Sequence, residues 1–242
     1  MKIVGVIPAR YGSSRFQGKP LADIHGKPMI WWVYNNAIKT PGLDEVYVAT
    51  ESEIIINECN KLGINAILTA TTHLTGTDRV GEVASKIGAD IYVVLMGDEP
   101  LIKSSEISKV IKEMKKDKSI SACMLATKFK NPVDVVNTTT IKLAINKDND
   151  LVFMSRSPIP FPKESLNFEY YKNMGLYAYT SDVLKFFIET EAGPIESAEG
   201  LEMLRLIENR KRVKIVKVNS NSMSVDTPKD LDRIRKILSK EK

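Results

Sequence analysis

The sequence predicts an α/β fold: a Rossmann-like, mostly parallel sheet with helices on both faces. Two observations carry this. Short apolar runs bounded by Pro and Gly alternate with segments of helical spacing, giving β-α-β-α-β within the first seventy residues or so. Such a succession also calls for right-handed crossovers, which place helices on both sides of a parallel sheet.

The first strand is Ile3-Val4-Gly5-Val6-Ile7, apolar throughout as a doubly covered strand must be. It opens into Pro8-Ala9-Arg10-Tyr11-Gly12-Ser13-Ser14-Arg15-Phe16-Gln17-Gly18-Lys19-Pro20. Ligands of open α/β sheets bind just beyond strand carboxyl ends, which is where this loop lies. Gly12 and Gly18 admit close backbone approach, Ser13 and Ser14 offer hydroxyls, and Arg10, Arg15 and Lys19 supply cations; together they can hold a polyphosphate. Neither GxxxxGK[ST] nor GxGxxG occurs here, and a merely solvated basic loop is the plainer alternative.

Asp23-Ile24-His25-Gly26-Lys27 reads as a turn, and Pro28 suits a first helical position. Met29, Ile30, Val33, Ala37 and Ile38 then recur at helical spacing until Thr40-Pro41-Gly42. Glu45-Val46-Tyr47-Val48-Ala49-Thr50 is strand-like, Ser52 is placed to cap a helix reaching Leu62, and Gly63 stops it before a strand over 64–68. A helix is expected over 78–87 and a buried strand at Ile91-Tyr92-Val93-Val94-Leu95. Directly after it stands Met96-Gly97-Asp98-Glu99-Pro100, where Asp98 at a strand end is suited to hold Mg²⁺ against phosphates. An Asp in a tight turn would look the same locally. Ser224-Val225-Asp226-Thr227-Pro228 repeats the arrangement, with Asp226 readable as a second metal ligand or as a helix cap, before Leu231, Ile234 and Leu238 form the inner face of a last helix.

Composition narrows the class. The 242 residues are 43% hydrophobic, enough for one sizeable core, and no repeat or low-complexity linker divides them. The formal net charge of +5 and pI of about 9.0 arise from 35 Lys+Arg against 30 Asp+Glu, a surplus that a small anionic substrate accounts for as well as nucleic acid does. The Lys-rich stretches 109–118 and 229–242 contain acids and read as solvated helix faces, so no nucleic-acid partner is expected. Cys59 and Cys123 lack disulfide or zinc spacing. No stretch approaches the ~20 apolar residues that span a bilayer, so a cytoplasmic enzyme without membrane partner is expected.

The motifs, taken together, resemble those of the 3-deoxy-manno-octulosonate cytidylyltransferases, the CMP-Kdo synthetases. The resemblance rests on Ile7-Pro8-Ala9-Arg10-Tyr11, Gly18-Lys19-Pro20-Leu21, Gly26-Lys27-Pro28-Met29-Ile30, Thr75-Gly76-Thr77-Asp78-Arg79, Gly97-Asp98-Glu99-Pro100, Ser155-Arg156 and Val225-Asp226-Thr227-Pro228. They occur in register along the whole chain. The resemblance implies a single nucleotidyltransferase domain over 1–242, with 125–195 as a smaller extension for homodimerisation and acceptor binding. It implies CTP as donor, a 3-deoxy-ulosonic acid (Kdo or a Kdo-like acidic sugar) as acceptor, Mg²⁺ as cofactor, and a CMP-sugar for lipopolysaccharide or capsule as product.

On that reading Arg10, Ser13, Arg15 and Lys19 grip the triphosphate and Thr77 with Arg79 face the cytidine. Asp98 and Asp226 hold Mg²⁺, and Arg10, Lys19, Asp98 and Asp226 form the catalytic set. Arg156 meets the sugar carboxylate, and Met96, Asn173, Tyr177, Glu202 and Met203 complete the acceptor side. Three of these depart from the family's pattern, which usually has Gln at Met96, His at Asn173 and Gln at Met203. The departures raise two alternatives: a different or modified acceptor, such as an amino-substituted octulosonate, or a nucleotide-binding sensor without turnover. Retention of both Asp98 and Asp226 speaks against the sensor.

Overall fold

The apolar run after Lys2 becomes β1 (Ile3–Pro8), buried along both faces as the lack of polar alternation requires. The computed structural model describes residues 1–12, 15–73, 75–164 and 167–240. After β1 come a hairpin of β2 (Asp23–Ile24) and β3 (Lys27–Pro28), α1 (Met29–Ile38), β4 (Glu45–Thr50), α2 (Glu53–Lys61), β5 (Ala66–Leu68), α3 (Gly76–Lys86), β6 (Ile91–Leu95) and α4 (Ser104–Lys116). The second half runs β7 (Ala122–Lys128), β8 (Lys142–Ile145), β9 (Leu151–Ser155), β10 (Tyr171–Thr180), α5 (Ser181–Glu189), α6 (Pro194–Glu199), α7 (Met203–Glu208), β11 (Val213–Val218) and α8 (Pro228–Leu238).

The main sheet has the order β11-β7-β10-β6-β1-β4-β5, with β8 and β9 attached beside β10. Alternate residues of the strands feed two cores: Ile3, Ile7, Val93 and Leu95 join α1, α2 and α4, while Val4, Val6, Tyr92 and Val94 join α3 and α5. A third cluster packs Leu231, Ile234 and Leu238 of α8 onto Ile24, Met29 and Val225, fastening the C-terminal helix over the hairpin.

Along the order β11-β7-β10-β6-β1-β4-β5 the strands are parallel except β10, which runs antiparallel to both β6 and β7; the attached β8 and β9 are antiparallel to each other, and β8 to β10. The reason lies in the connection. β7 ends at Lys128 and β10 begins opposite it at Tyr171, so the two strands form a hairpin whose long tip builds β8 and β9. Since β6 and β7 are both antiparallel to β10, their carboxyl ends share one edge, and the tip rises from that edge beside the loop after β1.

Some boundaries differ from the sequence reading. α3 begins at Gly76, two residues before Asp78, because Thr75 is its N-cap and forms a reciprocal capping box with Asp78. Pro28 lies in β3 and at the N-cap of α1, whose first helical residue is Met29. Ser52 takes the N-cap position of α2 without a side-chain cap bond, and β5 starts at Ala66 where a strand from 64 was expected.

Candidate active site

The basic loop is shaped by its own backbone. The Gly18 N–H donates to the Tyr11 carbonyl at 2.9 Å, and Gly18 adopts φ +66° to start the one-turn helix Lys19–Leu21, a conformation most side chains resist. The Tyr11 N–H donates to Glu51 Oε1 at 3.0 Å, tying the loop to the end of β4. Arg10 and Arg15 are exposed, and Ser13 lies outside the described residues.

Opposite this loop the two acids converge. Lys19 Nζ donates to Asp98 Oδ2 at 2.6 Å and stands 3.7 Å from Asp226 Oδ1, while Arg15 Nη2 lies 3.0 Å from the same Asp226 oxygen. The Val225 N–H donates to the Asp98 carbonyl at 2.8 Å, which draws the C-terminal segment alongside the end of β6. Asp226 is not the helix cap. Thr227 caps α8 through a capping box with Asp230, leaving the Asp226 carboxylate for the cations.

Glu99 braces this corner. Its Oε1 accepts from the Gly175 N–H at 2.5 Å and its Oε2 from Ser222 Oγ at 3.0 Å, so β10, the turn after β6 and the C-terminal segment meet on one carboxyl. Burial, then the charge of Asp98, pushes the Glu99 carboxyl up to about 7. A Cβ at Gly175 would lie 2.6 Å from Glu99 Oε1, so the bulge in β10 needs glycine there.

A cavity of about 220 Å³ is lined by Thr77, Met96, Arg156, Asn173, Tyr177, Glu202 and Met203. A second, of about 530 Å³, is lined in part by Arg15, Asp98 and Asp226 and shares Met96, Asn173 and Tyr177 with the first. The residues expected on the acceptor side thus surround one hollow that abuts the acids. Asn173 Nδ2 donates to Tyr177 Oη at 2.6 Å, Thr77 Oγ1 donates to Glu202, and burial raises the Glu202 carboxyl. Arg156 is exposed, its Nε donating to the Glu199 carbonyl at 3.0 Å and its Nη1 to the Thr138 carbonyl at 3.4 Å.

Arg79 is not brought to this hollow. It is 6% exposed, donates to Thr69 Oγ1 and pairs with Glu51 at 3.0 Å. Residues two apart on a helix do not face one way, so Thr77 lines the cavity while Arg79 turns toward β4. Through Glu51 it braces the carboxylate that holds the Tyr11 N–H.

Residues 4–215 match the cytidylyltransferase family model. The 3-deoxy-manno-octulosonate cytidylyltransferase of Escherichia coli is 39% identical over 240 residues, covering 99% of this chain and 97% of that protein. The chain belongs to this family. The 3-deoxy-manno-octulosonate cytidylyltransferase of Geobacter metallireducens is also 39% identical, over 251 residues. A solved structure described as CMP:2-keto-3-deoxy-manno-octonic acid synthetase complexed with CTP superposes with a TM-score of 0.96 at 38% identity, covering 100% of both chains. The fold described above is thus shared with that synthetase over the full length of both chains.

Among the described residues no group of three or more His, Cys, Asp or Glu gathers as a metal centre. Asp98 and Asp226 do reach one common cation, Lys19 Nζ, so both carboxylates face the same small volume. Two hard oxygen donors fit Mg²⁺, which is commonly held by one or two carboxylates together with substrate phosphates. Sequence reasoning passed over Glu51 and Glu99; the second was visible beside Asp98 but nothing in the sequence showed that it is buried. Cys59 and Cys123 are buried thiols with raised pKa, far from any reactive role.

Proposed function

We propose that this protein transfers the cytidylyl group of CTP to the anomeric hydroxyl of a 3-deoxy-ulosonic acid, releasing pyrophosphate and forming a CMP-sugar. The observation that carries this reading is the junction of the two cavities, where the Asp98 and Asp226 edge abuts the hollow lined by Arg156, Tyr177 and Glu202. The names of the relatives support the two substrates.

The acceptor oxygen forms a bond to the α-phosphorus, the bond from that phosphorus to the β-bridging oxygen breaks, and the hydroxyl proton passes to solvent. Such displacement needs charge neutralisation more than covalent help. Asp98 and Asp226 would hold Mg²⁺, which supplies charge neutralisation at the phosphates and lowers the pKa of the attacking hydroxyl. Lys19, Arg15 and Arg10 stand on the loop where the leaving pyrophosphate gathers charge. Thr77 turns toward the cavity near the nucleoside, and Arg79 acts behind it by fixing Glu51. Arg156 offers its remaining N–H groups to the sugar carboxylate.

A second reading is favoured by Met96, Asn173 and Met203. Thioethers line the hollow at two of these places and offer no directional bonds to sugar hydroxyls, while at the third the Asn173 amide nitrogen already donates to Tyr177 and leaves its buried, unpartnered Oδ1 as an acceptor. A modified acidic sugar then fits better than unmodified Kdo. For assembly, exposed Val133, Val136 and Phe161 on the β7–β10 tip support pairing of two copies through this extension. Pyrophosphate release with CTP, Mg²⁺ and a panel of acidic sugars tests the reading; acceptor-dependent release supports it, and release from no acceptor rejects it.

A further inference from the structure

Lys142, the first residue of β8, is fully buried, with 0% of its surface exposed, although lysine is among the residues least often found so. Its ammonium is not neutralised by a direct carboxylate contact among the described residues. Instead Nζ donates to three main-chain carbonyls, those of Asn137 and Thr140 at 2.8 Å each and that of Arg156. An ammonium has three donors, and each finds an acceptor. Burial lowers the Lys142 pKa, the nearby Glu199 charge opposes that, and Arg156 adds to the lowering.

The three carbonyls belong to two segments that wall the candidate acceptor site. Asn137, Thr139 and Thr140 line the larger cavity, and Arg156 lines the smaller. The same segments are joined a second time by Arg156 itself, whose Nη1 reaches the Thr138 carbonyl at 3.4 Å while its Nε reaches the Glu199 carbonyl at 3.0 Å. The Arg156 N–H donates to Glu199 Oε2 at 3.0 Å, so the backbone of Arg156 is gripped on its carbonyl side by Lys142 and on its amide side by Glu199.

We infer that Lys142 is a positioning residue for the acceptor: its ammonium gathers the 137–140 turn and the Arg156 backbone and thereby fixes the direction in which the Arg156 guanidinium meets an anionic substrate. Lys142 touches neither substrate. It acts through Arg156, and it adds a second positive charge behind the place where the acceptor carboxylate binds. This rests on the proposed function only for the identity of the acceptor; the gathering of the two segments stands on the hydrogen bonds alone.

The test compares wild type with Lys142→Gln, which keeps two N–H donors without the charge, and Lys142→Met, which keeps the length alone. Steady-state pyrophosphate release with CTP, Mg²⁺ and Kdo is expected to show KM for the acid raised about tenfold or more, with KM for CTP changed by less than about twofold. Hydrogen exchange in the folded variants is expected to speed up at 137–140 and 156–157 while residues 19–22 and 97–99 keep their protection. If wild type releases no pyrophosphate with any acid, the functional reading fails by itself and the exchange data still decide the role of Lys142. The inference is overturned by unchanged exchange at 137–140, by equal rises in both KM values, or by failure of both variants to accumulate as folded protein, which would make Lys142 a residue of the fold alone.

Discussion

Lys19 Nζ bridges two acids from distant parts of the chain, standing 2.6 Å from Asp98 Oδ2 and 3.7 Å from Asp226 Oδ1. The bridge shows that the end of β6, the segment before α8 and the loop after β1 converge on one point. It also shows that the two carboxylates have a cation between them before any ligand is considered. Displacement of Lys19 toward phosphate oxygens would open that point to a divalent ion.

Asp98→Asn and Asp226→Asn keep side-chain size and remove the charge a divalent ion needs, so each is expected to abolish most turnover with the fold intact. Lys19→Met removes a donor facing the leaving phosphates and is expected to lower kcat by about 10²-fold or more. Pyrophosphate release and circular dichroism, measured together, check both. Wild-type turnover in the two Asn variants would remove these carboxylates from the chemistry.

The pH dependence of stability carries a sign that Glu99 sets. Its carboxyl is pushed up to about 7 from an ordinary 4.5, so the folded chain binds this proton more tightly than the unfolded one. The stabilisation is complete below about pH 4.5 and is lost as the pH rises through about 7, an effect on the order of 3 kcal/mol at most. Glu99→Gln mimics the protonated acid and is expected to lose less stability than wild type between pH 5 and 8. Denaturant midpoints across that range check it, and parallel curves for the two proteins would contradict it.

How far these arrangements could be read from sequence depended on what determines each. β1 and β6 were legible because a five-residue apolar run has few other uses, and Asp98 was legible because it stands three residues past the end of such a run. The start of α3 was written in Thr75 and Asp78 as a capping box, two residues earlier than apolar spacing alone suggested. The direction of β10 was not legible, since it depends on where the β7–β10 tip returns the chain and on no local pattern. Lys142 could not be foreseen either. A lysine opening a strand ordinarily faces solvent, and only the fold of the 137–140 turn over it supplies the carbonyls that bury it.

Nucleotide choice is expected to be strict. On the proposed function the start of α3, with Thr77 turned inward, serves the nucleoside, and a site built to bond one base edge leaves buried groups unpaired with another. CTP is expected to be preferred over UTP and purine triphosphates by about 10⁴-fold in kcat/KM. Equal pyrophosphate release with ATP would contradict this.

Acceptor choice is expected to have shifted. Replacing two or three neutral hydrogen bonds at ~0.5–1.5 kcal/mol each lowers kcat/KM for unmodified Kdo by an order of 10- to 1,000-fold. The combined variant Met96→Gln, Asn173→His and Met203→Gln is expected to recover much of that loss. A wild type that matches the triple variant on Kdo would make the three residues packing groups without effect on specificity.

The central claim is that CTP and a 3-deoxy-ulosonic acid meet where the Asp98–Asp226 edge adjoins the Arg156 hollow. The most direct measurement is product formation by the wild-type protein with CTP, Mg²⁺ and a panel of acidic sugars that includes Kdo, read as pyrophosphate and as a CMP-sugar by mass. The account predicts stoichiometric pyrophosphate and CMP-sugar with at least one acid, both lost in Asp98→Asn. Absence of a CMP-sugar with every acid, or its formation undiminished in Asp98→Asn, would contradict it.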